Sequence, residues 1–442
     1  MANKFYDYSS ITKQFKGYGN VRYVMSHINL TSLESMHYQL DETKEYGIDK
    51  VSRKQYSLNL HSNITKLLSK MKQMTYKPYP VKRIYIPKSN KKLRPIGVPS
   101  YSDKLVQGVM ANILNAIYEH IFLDCSFGFR PNRNCHQALK RLNEVVTNND
   151  VNYIVEADIK SFFDNVNHQN LLNFMKPIIQ DKRFMYYTHA FLKAGVIEDT
   201  DFSRTRKGTP QGGLISPILA NIYLHYILDQ WFEDFIRPKC NFCYLIRYAD
   251  DFIVCFKEKN DSEWFLKQLT NRFKQYKLEL EPSKTRAIDF YKSSSTFDFL
   301  GFTISKIESN NKQDNIDYTI SSKSFQNKKS SIKYKIKKYR NEHRLVYKDD
   351  FNRFIVYLNS VLSGIYKYYN TCTSTPYLDK LYNYTILQLK NHLTKKQIRG
   401  IKQQITTIPL VESSTYKTIK FEERSTKNAK KRKTSGYVQN VS

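Results

Sequence analysis

The spacing of apolar residues changes period several times along the chain, and each period predicts an element. Residues 1–75 are mostly polar, with helical spacing at Leu60, Ile64, Leu67, Leu68 and Met71. Val81, Arg83 and Tyr85 then alternate with Lys82, Ile84 and Ile86 until Pro87, which reads as a β-strand. A basic turn from Lys88 to Lys92 leads into Leu93–Pro99, the return arm of a hairpin. Residues 102–122 read as a helix, with Leu105, Val109, Ile113, Ile117 and Ile121 on one stripe. Tyr153–Ile159 reads as a buried strand carrying a carboxylate at its end. Ser216–Pro217 predicts a helix start, with serine as the cap and proline at the first helical position. Leu245–Phe256 reads as two short strands around an Ala249–Asp250–Asp251 turn. From Lys323 to Arg340, Phe325, Ile332, Ile336 and Tyr339 share a helical face while lysines crowd elsewhere. A further helix is expected near 378–396.

Composition adds the partner. The chain has 442 residues, enough for two or three domains, with 71 Lys and Arg against 40 Asp and Glu. The formal net charge of +31 is spread along the sequence, which points to a polyanion bound through release of phosphate counterions. The 34 Tyr and 26 Phe supply core and some surfaces on which bases can stack. Six cysteines include a single C-x-x-C pair, Cys240 and Cys243, without the second pair that a structural zinc site needs. They are read as reduced. The first residues contain no apolar signal core, and the longest uncharged run, Gly208–Leu228, holds Pro210, Gln211, Pro217 and Asn221. A cytoplasmic protein with no membrane partner is expected.

The candidate chemistry is acidic. Asp158 ends one apolar strand, and Asp250 and Asp251 lie between two others. An acidic pair by itself is commonly just a turn. Carboxylates gathered from buried strand ends repel one another, however, and a divalent cation relieves that repulsion.

These residues sit in blocks that resemble those of group II intron-type reverse transcriptases. Arg247–Asp251 resembles the Y-x-D-D signature and Glu156–Asp164 the first catalytic motif. Lys207–Leu224 resembles the nucleotide-binding motif and Phe127–Leu139 the fingers block. Leu278–Thr285 and Phe299–Phe302 resemble later palm blocks, and Tyr357–Tyr369 a maturase-type thumb. The resemblance covers roughly residues 76–395. It implies an α+β right-hand polymerase, with an N-terminal extension over 1–75, fingers over 76–155 and palm with fingers insertions over 156–305. A thumb or maturase-like region over 306–405 and a disordered basic tail over 406–442 complete the plan, the tail carrying Lys427 and Lys430–Lys433.

The resemblance also implies roles. Asp158, Asp250 and Asp251, with the Ile159 carbonyl, would hold two Mg2+ ions, Mn2+ being able to substitute. Lys82, Lys92 and Arg94 would grip the triphosphate. Phe163 would exclude a 2′-hydroxyl, Gln211 and Gly212 would meet the incoming nucleotide, and Lys284 would protonate the leaving pyrophosphate. Arg130, Arg133, Lys333, Lys337 and Lys338 would bind nucleic acid. Cys135 and His136, lacking a partner cluster, point to a structural or template-contacting role. The expected partners are an RNA template, a DNA or RNA primer, deoxynucleoside triphosphates and a dedicated structured RNA. The zinc-dependent endonuclease of mobile intron proteins is not expected in the segment after the thumb. Two readings stay open beside polymerisation by an intron protein: a free-standing relative acting in antiviral defence, and a maturase whose main role is folding an intron.

Overall fold

The computed structural model describes residues 5–42, 45–87, 93–199, 201–210, 212–291, 295–307, 315–342, 348–370, 372 and 376–392. Lys92, Gln211 and the basic tail lie outside these residues. The chain divides into two compact units, Met1–Ser321 and Ser322–Ser442.

The strands of the first unit are β1 (Val81–Pro87), β2 (Leu93–Val98), β3 (Tyr153–Asp158), β4 (Val196–Glu198), β5 (Asp201–Ser203) and β6 (Cys243–Tyr248). They continue with β7 (Asp251–Phe256), β8 (Arg286–Asp289), β9 (Thr296–Phe299), β10 (Phe302–Ile307) and β11 (Asn315–Ile320). They form three sheets, ordered β2-β1-β4-β5, β6-β7-β3-β8 and β11-β10-β9. The expected hairpin is β1 antiparallel to β2, and β4 adds to it in parallel. In the middle sheet β3 lies between β7 and β8, antiparallel to both. Central strands bury both faces, so Ile154, Val155 and Ala157 are all buried, and Glu156 between them is paired with Arg286 of β8. The helix Lys259–Gln275 packs on β3, β7 and β8, seating Phe265, Leu269 and Phe273 in the core.

Sequence chemistry explains the helix starts. Ser100 caps the helix Tyr101–Tyr118 by accepting from the Asp103 amide. Asn134 and Gln137 form a reciprocal capping box at the helix Cys135–Asn148. Leu105, Val109, Ile113 and Ile117 are fully buried, as their stripe predicts. The N-terminal helices Ser9–Tyr18 and Leu30–Gln39 pack on this same helix. A Cβ added at Gly108 would lie 2.5 Å from Met36 Sδ, so the Met36 side chain packs directly over this glycine.

Three expectations shift. Ser216 is the first residue of its helix rather than the cap, because its hydroxyl donates to the Pro210 carbonyl at 2.8 Å. The third sheet runs to Ile320 and the second compact unit begins at Ser322, so the expected boundary at 306 falls inside β10. β3 starts at Tyr153, ahead of the expected boundary at residue 156, and pairs with β7 along its whole length. In the second unit the helices are Ser322–Glu342, Lys348–Tyr368 and Pro376–His392, and Tyr339 stacks on Phe354 at 4.0 Å. No helix among the described residues is long and apolar enough to cross a membrane.

One buried ion pair ties the middle sheet to the helical layer. Arg247 is fully buried on β6, and its Nε donates to Asp229 Oδ1 at 2.6 Å while Nη2 bonds Oδ2. Its Nη1 donates to Asn221 Oδ1 and to the Ala249 carbonyl, both at 3.0 Å. Asp229 closes a π-helical turn, His225–Asp229, a local widening that often marks functional sites. Removing one member strands the other charge in the core, at a cost of roughly 3–5 kcal/mol. Arg247→Met should therefore lower the thermal unfolding midpoint by roughly 6–12 °C. The double variant Arg247→Met/Asp229→Leu should recover much of that loss. Differential scanning calorimetry checks it, and a double variant no more stable than the single one would refute the assignment.

Candidate active site

The carboxylates reach one place by strand register. Asp158, the last residue of β3, is the Cα partner of Asp251, the first residue of β7, and Asp251 in turn faces Tyr248 of β6. Asp250 occupies the turn between. Ala249 makes that turn with a left-handed backbone, φ +58°, and its carbonyl is held by Arg247. Non-glycine residues adopt this conformation at some cost, which the surrounding contacts must offset. The fingers block presses against the turn: a Cβ at Gly128 would lie 2.4 Å from the Ala249 nitrogen, and the Gly128 carbonyl accepts from Asn221 at 2.7 Å.

Electrostatics mark the same spot. Burial raises the Asp251 pKa to about 7, with further contributions from the charges of Asp158, Asp250 and Glu156. Asp250 is raised by burial and by Asp158, while Arg94 and Lys284 oppose the rise. Lys284, from the turn Pro282–Lys284, is ion-paired to the Asp158 carboxylate. Burial works against its charge, but the hydrogen bond and charge of Asp158 outweigh it and raise the ammonium pKa. Lys284 thus sits among the carboxylates as a counterion, a role its sequence assignment did not include. Among the described residues, no three His, Cys, Asp or Glu side chains are gathered in metal-enclosing geometry, Asp158 being drawn to Lys284. The donor set, all carboxylate and carbonyl oxygen, nonetheless suits a hard divalent cation.

The segment after β3 positions the neighbouring residues. Ser161 has φ +48°, and the chain then enters the short helix Phe162–Asn165. Phe162 is buried in the core, whereas Phe163 is half-buried. The Phe163 carbonyl accepts from the Thr209 amide at 2.7 Å, and the Val166 carbonyl from the Gly208 amide at 2.7 Å. This fastens the glycine-rich loop to the segment bearing Phe163. Gly212 has φ +115°, and a Cβ there would lie 2.5 Å from the Gly97 carbonyl oxygen of β2. Arg94 is exposed on β2, and Lys82 on β1 places its ammonium 4.9 Å from the centre of the Tyr46 ring.

Two arginines assigned to nucleic acid are engaged within the protein. The Arg130 side chain is buried, donates bidentately to Glu119 at 2.7 and 3.0 Å, and donates to the Leu123 and Ser126 carbonyls. All its donors are directed inward, so it is a structural clamp. Arg133 is mostly committed too, paired with Asp124 at 2.7 Å and lying over the Phe127 ring. Lys333, Lys337 and Lys338 are exposed on their helix, as expected. Cys135 opens a capped helix, with its Sγ 3.8 Å from His136 Nδ1, and the cysteines are free thiols.

Sequence reasoning missed Asn221, Asp229 and Glu156. A single carboxylate in a stretch with no other Asp, Glu, Lys or Arg, from Gly208 to Trp231, was the available signal for Asp229. Glu156 pairs with Arg286 at 3.1 Å.

Asp251 generates a prediction with a definite sign. Its folded pKa, about 7, lies above the unfolded value near 3.9. The folded state therefore takes up a proton first as pH falls, and stability rises from pH 7 towards pH 4; above pH 7 the cost of the charge is present in full. With chelator present, Asp251→Asn should unfold at a higher temperature than the parent at pH 8, and the difference should shrink by pH 5. Calorimetry at both pH values tests this, and an Asp251→Asn variant less stable than the parent at pH 8 would contradict it.

Comparison with known proteins follows this geometry. The family described as reverse transcriptase (RNA-dependent DNA polymerase) matches residues 86–304. The group II intron-encoded protein LtrA of Lactococcus lactis subsp. cremoris is 34% identical over 299 residues, covering 54% of this chain and 49% of that protein. Protein YkfC of Escherichia coli (strain K12) is 34% identical over 243 residues, covering 48% of this chain and 63% of its own. Nuclear intron maturase 2, mitochondrial, of Arabidopsis thaliana is 26% identical over 184 residues, covering 31% and 24%. The chain thus spans about half the length of LtrA. The matched segment contains the sheet that carries the carboxylates, the glycine-rich loop and Arg94. Through it, the chain is similar to the reverse transcriptase family, and its relatives there include group II intron-encoded proteins.

Proposed function

We propose that this chain is an RNA-directed DNA polymerase that works in the cytoplasm on an RNA template with a DNA or RNA primer. The reading extends to a dedicated structured RNA partner, from an intron or an antiviral defence locus. The observation that carries it is the register that sets Asp158 opposite Asp251, with Asp250 in the adjoining turn and both of the latter carboxyls raised by burial and by the charges around them. Asp158, Asp250 and Asp251 with the Ile159 carbonyl would hold two Mg2+ ions. Those ions, when bound, supply Lewis acidity for the attacking 3′-hydroxyl and the leaving pyrophosphate.

The chain's own residues do the rest. Arg94, whose charge already reaches Asp250, offers a planar fork to phosphate oxygens. Gly212 lets backbone approach the nucleotide closely. Lys284 contributes positive charge beside Asp158, in reach of a departing phosphate. The exposed Lys333, Lys337 and Lys338 suit a phosphate backbone. A second reading, intron maturation, is supported by the resemblance to proteins named as intron-encoded or as intron maturase.

Asp158→Ala, Asp250→Ala and Asp251→Ala should each lower primer extension on the order of a thousandfold, the equivalent of several kcal/mol of charge stabilisation. RNA binding measured by fluorescence anisotropy should stay near the parent value, since it draws on distributed cations. Extension by the Asp250→Ala/Asp251→Ala double variant would overturn the assignment of these carboxylates to the metals, whereas a parent chain that extends no primer would leave the maturase reading.

Phe163 supplies a test of sugar choice. A half-buried ring beside the loop at Thr209 is placed to pack on a deoxyribose, and a 2′-hydroxyl forced there meets steric strain and lacks a partner. Phe163→Ala should raise ribonucleotide incorporation relative to deoxyribonucleotide, by a few kcal/mol at most, or about tenfold to a hundredfold. Phe162→Ala, a core truncation, should cost about 3–5 kcal/mol of stability and leave sugar preference alone. Single-nucleotide extension with each sugar type decides, and an unchanged preference in an active Phe163→Ala enzyme would make the ring ordinary packing.

A further inference from the structure

The hairpin β1–β2 has two faces, and they carry different chemistry. Directly paired residues share a face, so Arg83 and Tyr85 lie with Gly97 and Pro95, while Ile86 lies with Arg94. On the face away from Arg94 is a cavity of about 420 Å³. Arg83, Arg204, Arg206 and Lys207 line it, against Asp164 and Glu198. Four cations face two carboxylates there, and the Glu198 carboxylate accepts from the Tyr85 hydroxyl.

The cations are only partly used. Lys207 donates to the neutral Asn165 Oδ1 at 2.7 Å. Arg204 and Arg206 are exposed, and neither is in an ion pair with a described residue. An arginine satisfied within the protein behaves differently, as Arg130 shows: it is buried and its donors are taken. The cavity is also braced. Its floor includes Gly208, φ +88°, where a Cβ would lie 2.9 Å from the carbonyl oxygens of both Phe163 and Asp164. His168 Nε2 lies 2.7 Å from the Gly208 carbonyl oxygen, which holds the loop from below. Loose guanidinium groups on a fixed floor are suited to bidentate recognition of phosphate oxygens.

We propose that this cavity is a second phosphate-binding site, separate from the face that bears Arg94, and that it takes the backbone of an RNA strand. Arginine outnumbers lysine here three to one, which favours phosphodiester forks over a point charge. The cations reach the surface, where a strand can run past, and the formal net charge of +31 already calls for a polyanion. The other source of the same chemistry is the triphosphate of a free nucleotide. The proposal rests on the reading of the chain as an RNA-binding polymerase, and its test separates the two.

The probe is a fluorescein-labelled single-stranded RNA of about 20 nucleotides, titrated into the full chain over a range of salt concentrations. Arg204→Ser/Arg206→Ser should weaken binding and flatten the plot of log affinity against log salt by about 1.4, the release expected for two phosphate contacts to a single strand. Arg204→Lys/Arg206→Lys should keep the parent slope, because charge is kept. Calorimetric titration with inorganic tripolyphosphate gives the second arm. If the serine variant loses tripolyphosphate binding while its RNA slope is unchanged, the phosphate site stands and its source is the nucleotide. If both are unchanged, the site is refuted. Primer extension by the parent chain, run alongside, reports on the polymerase reading independently.

Discussion

The site depends on a guanidinium placed where no water reaches it. Arg247 is the residue before Tyr248 on β6, and it binds Asp229 in a π-helical turn and Asn221 in the helix Ser216–Leu224, both from the helical layer, and the Ala249 carbonyl in its own sheet's turn. Its own backbone amide and carbonyl pair with Cys125 and Phe127 at 2.8 Å each. A buried ion pair of this sort is weak evidence for net stability, since desolvation offsets most of its attraction. Its worth is in specificity: only one arrangement of helix, strand and fingers block satisfies all the donors. That arrangement holds Ala249 in a left-handed conformation and so aims Asp250 and Asp251.

Holding three carboxylates together creates a second constraint. Burial and mutual charge push Asp250 and Asp251 upward, and Lys284 supplies local relief through Asp158. A fold stabilised for its own sake would not concentrate like charges at strand ends. The strain is intelligible as preparation for ligands that carry positive charge, in line with the general tendency of perturbed carboxyls to gather at functional sites.

Positive charge is sorted in the same way, by whether a donor is spent inside the protein. Arg130 and Arg133 occur in a block that resembles a nucleic-acid-contacting one, yet their side chains are committed to Glu119, Asp124 and backbone carbonyls. Arg94, Arg204, Arg206 and the lysines at 333, 337 and 338 remain exposed. Net charge in the sequence indicates the class of partner but says nothing of which cations are free to meet it.

Several features were legible from the chain alone. Alternation and helical spacing placed β1, β2, β3 and the strands around Asp250, and the stripe from Leu105 to Ile117 proved to be core, because side-chain period follows directly from backbone geometry. The motif blocks carry the resemblance to reverse transcriptases, and Asp158, Asp250 and Asp251 stand within them at the ends of apolar runs. What the sequence could not supply were relations across layers. Asp229 and Asn221 stand 18 and 26 residues from Arg247, and Gly128 meets Ala249 from a different block. The role of Lys284 as counterion follows from a contact 126 residues away, and the inward turn of Arg130 from the position of Glu119. Local pattern determines which faces are apolar and where carboxylates end a strand. Only the packed structure decides which polar groups satisfy one another in its interior, because a buried hydrogen bond or ion pair is chosen by proximity in space, and that is settled by every layer together.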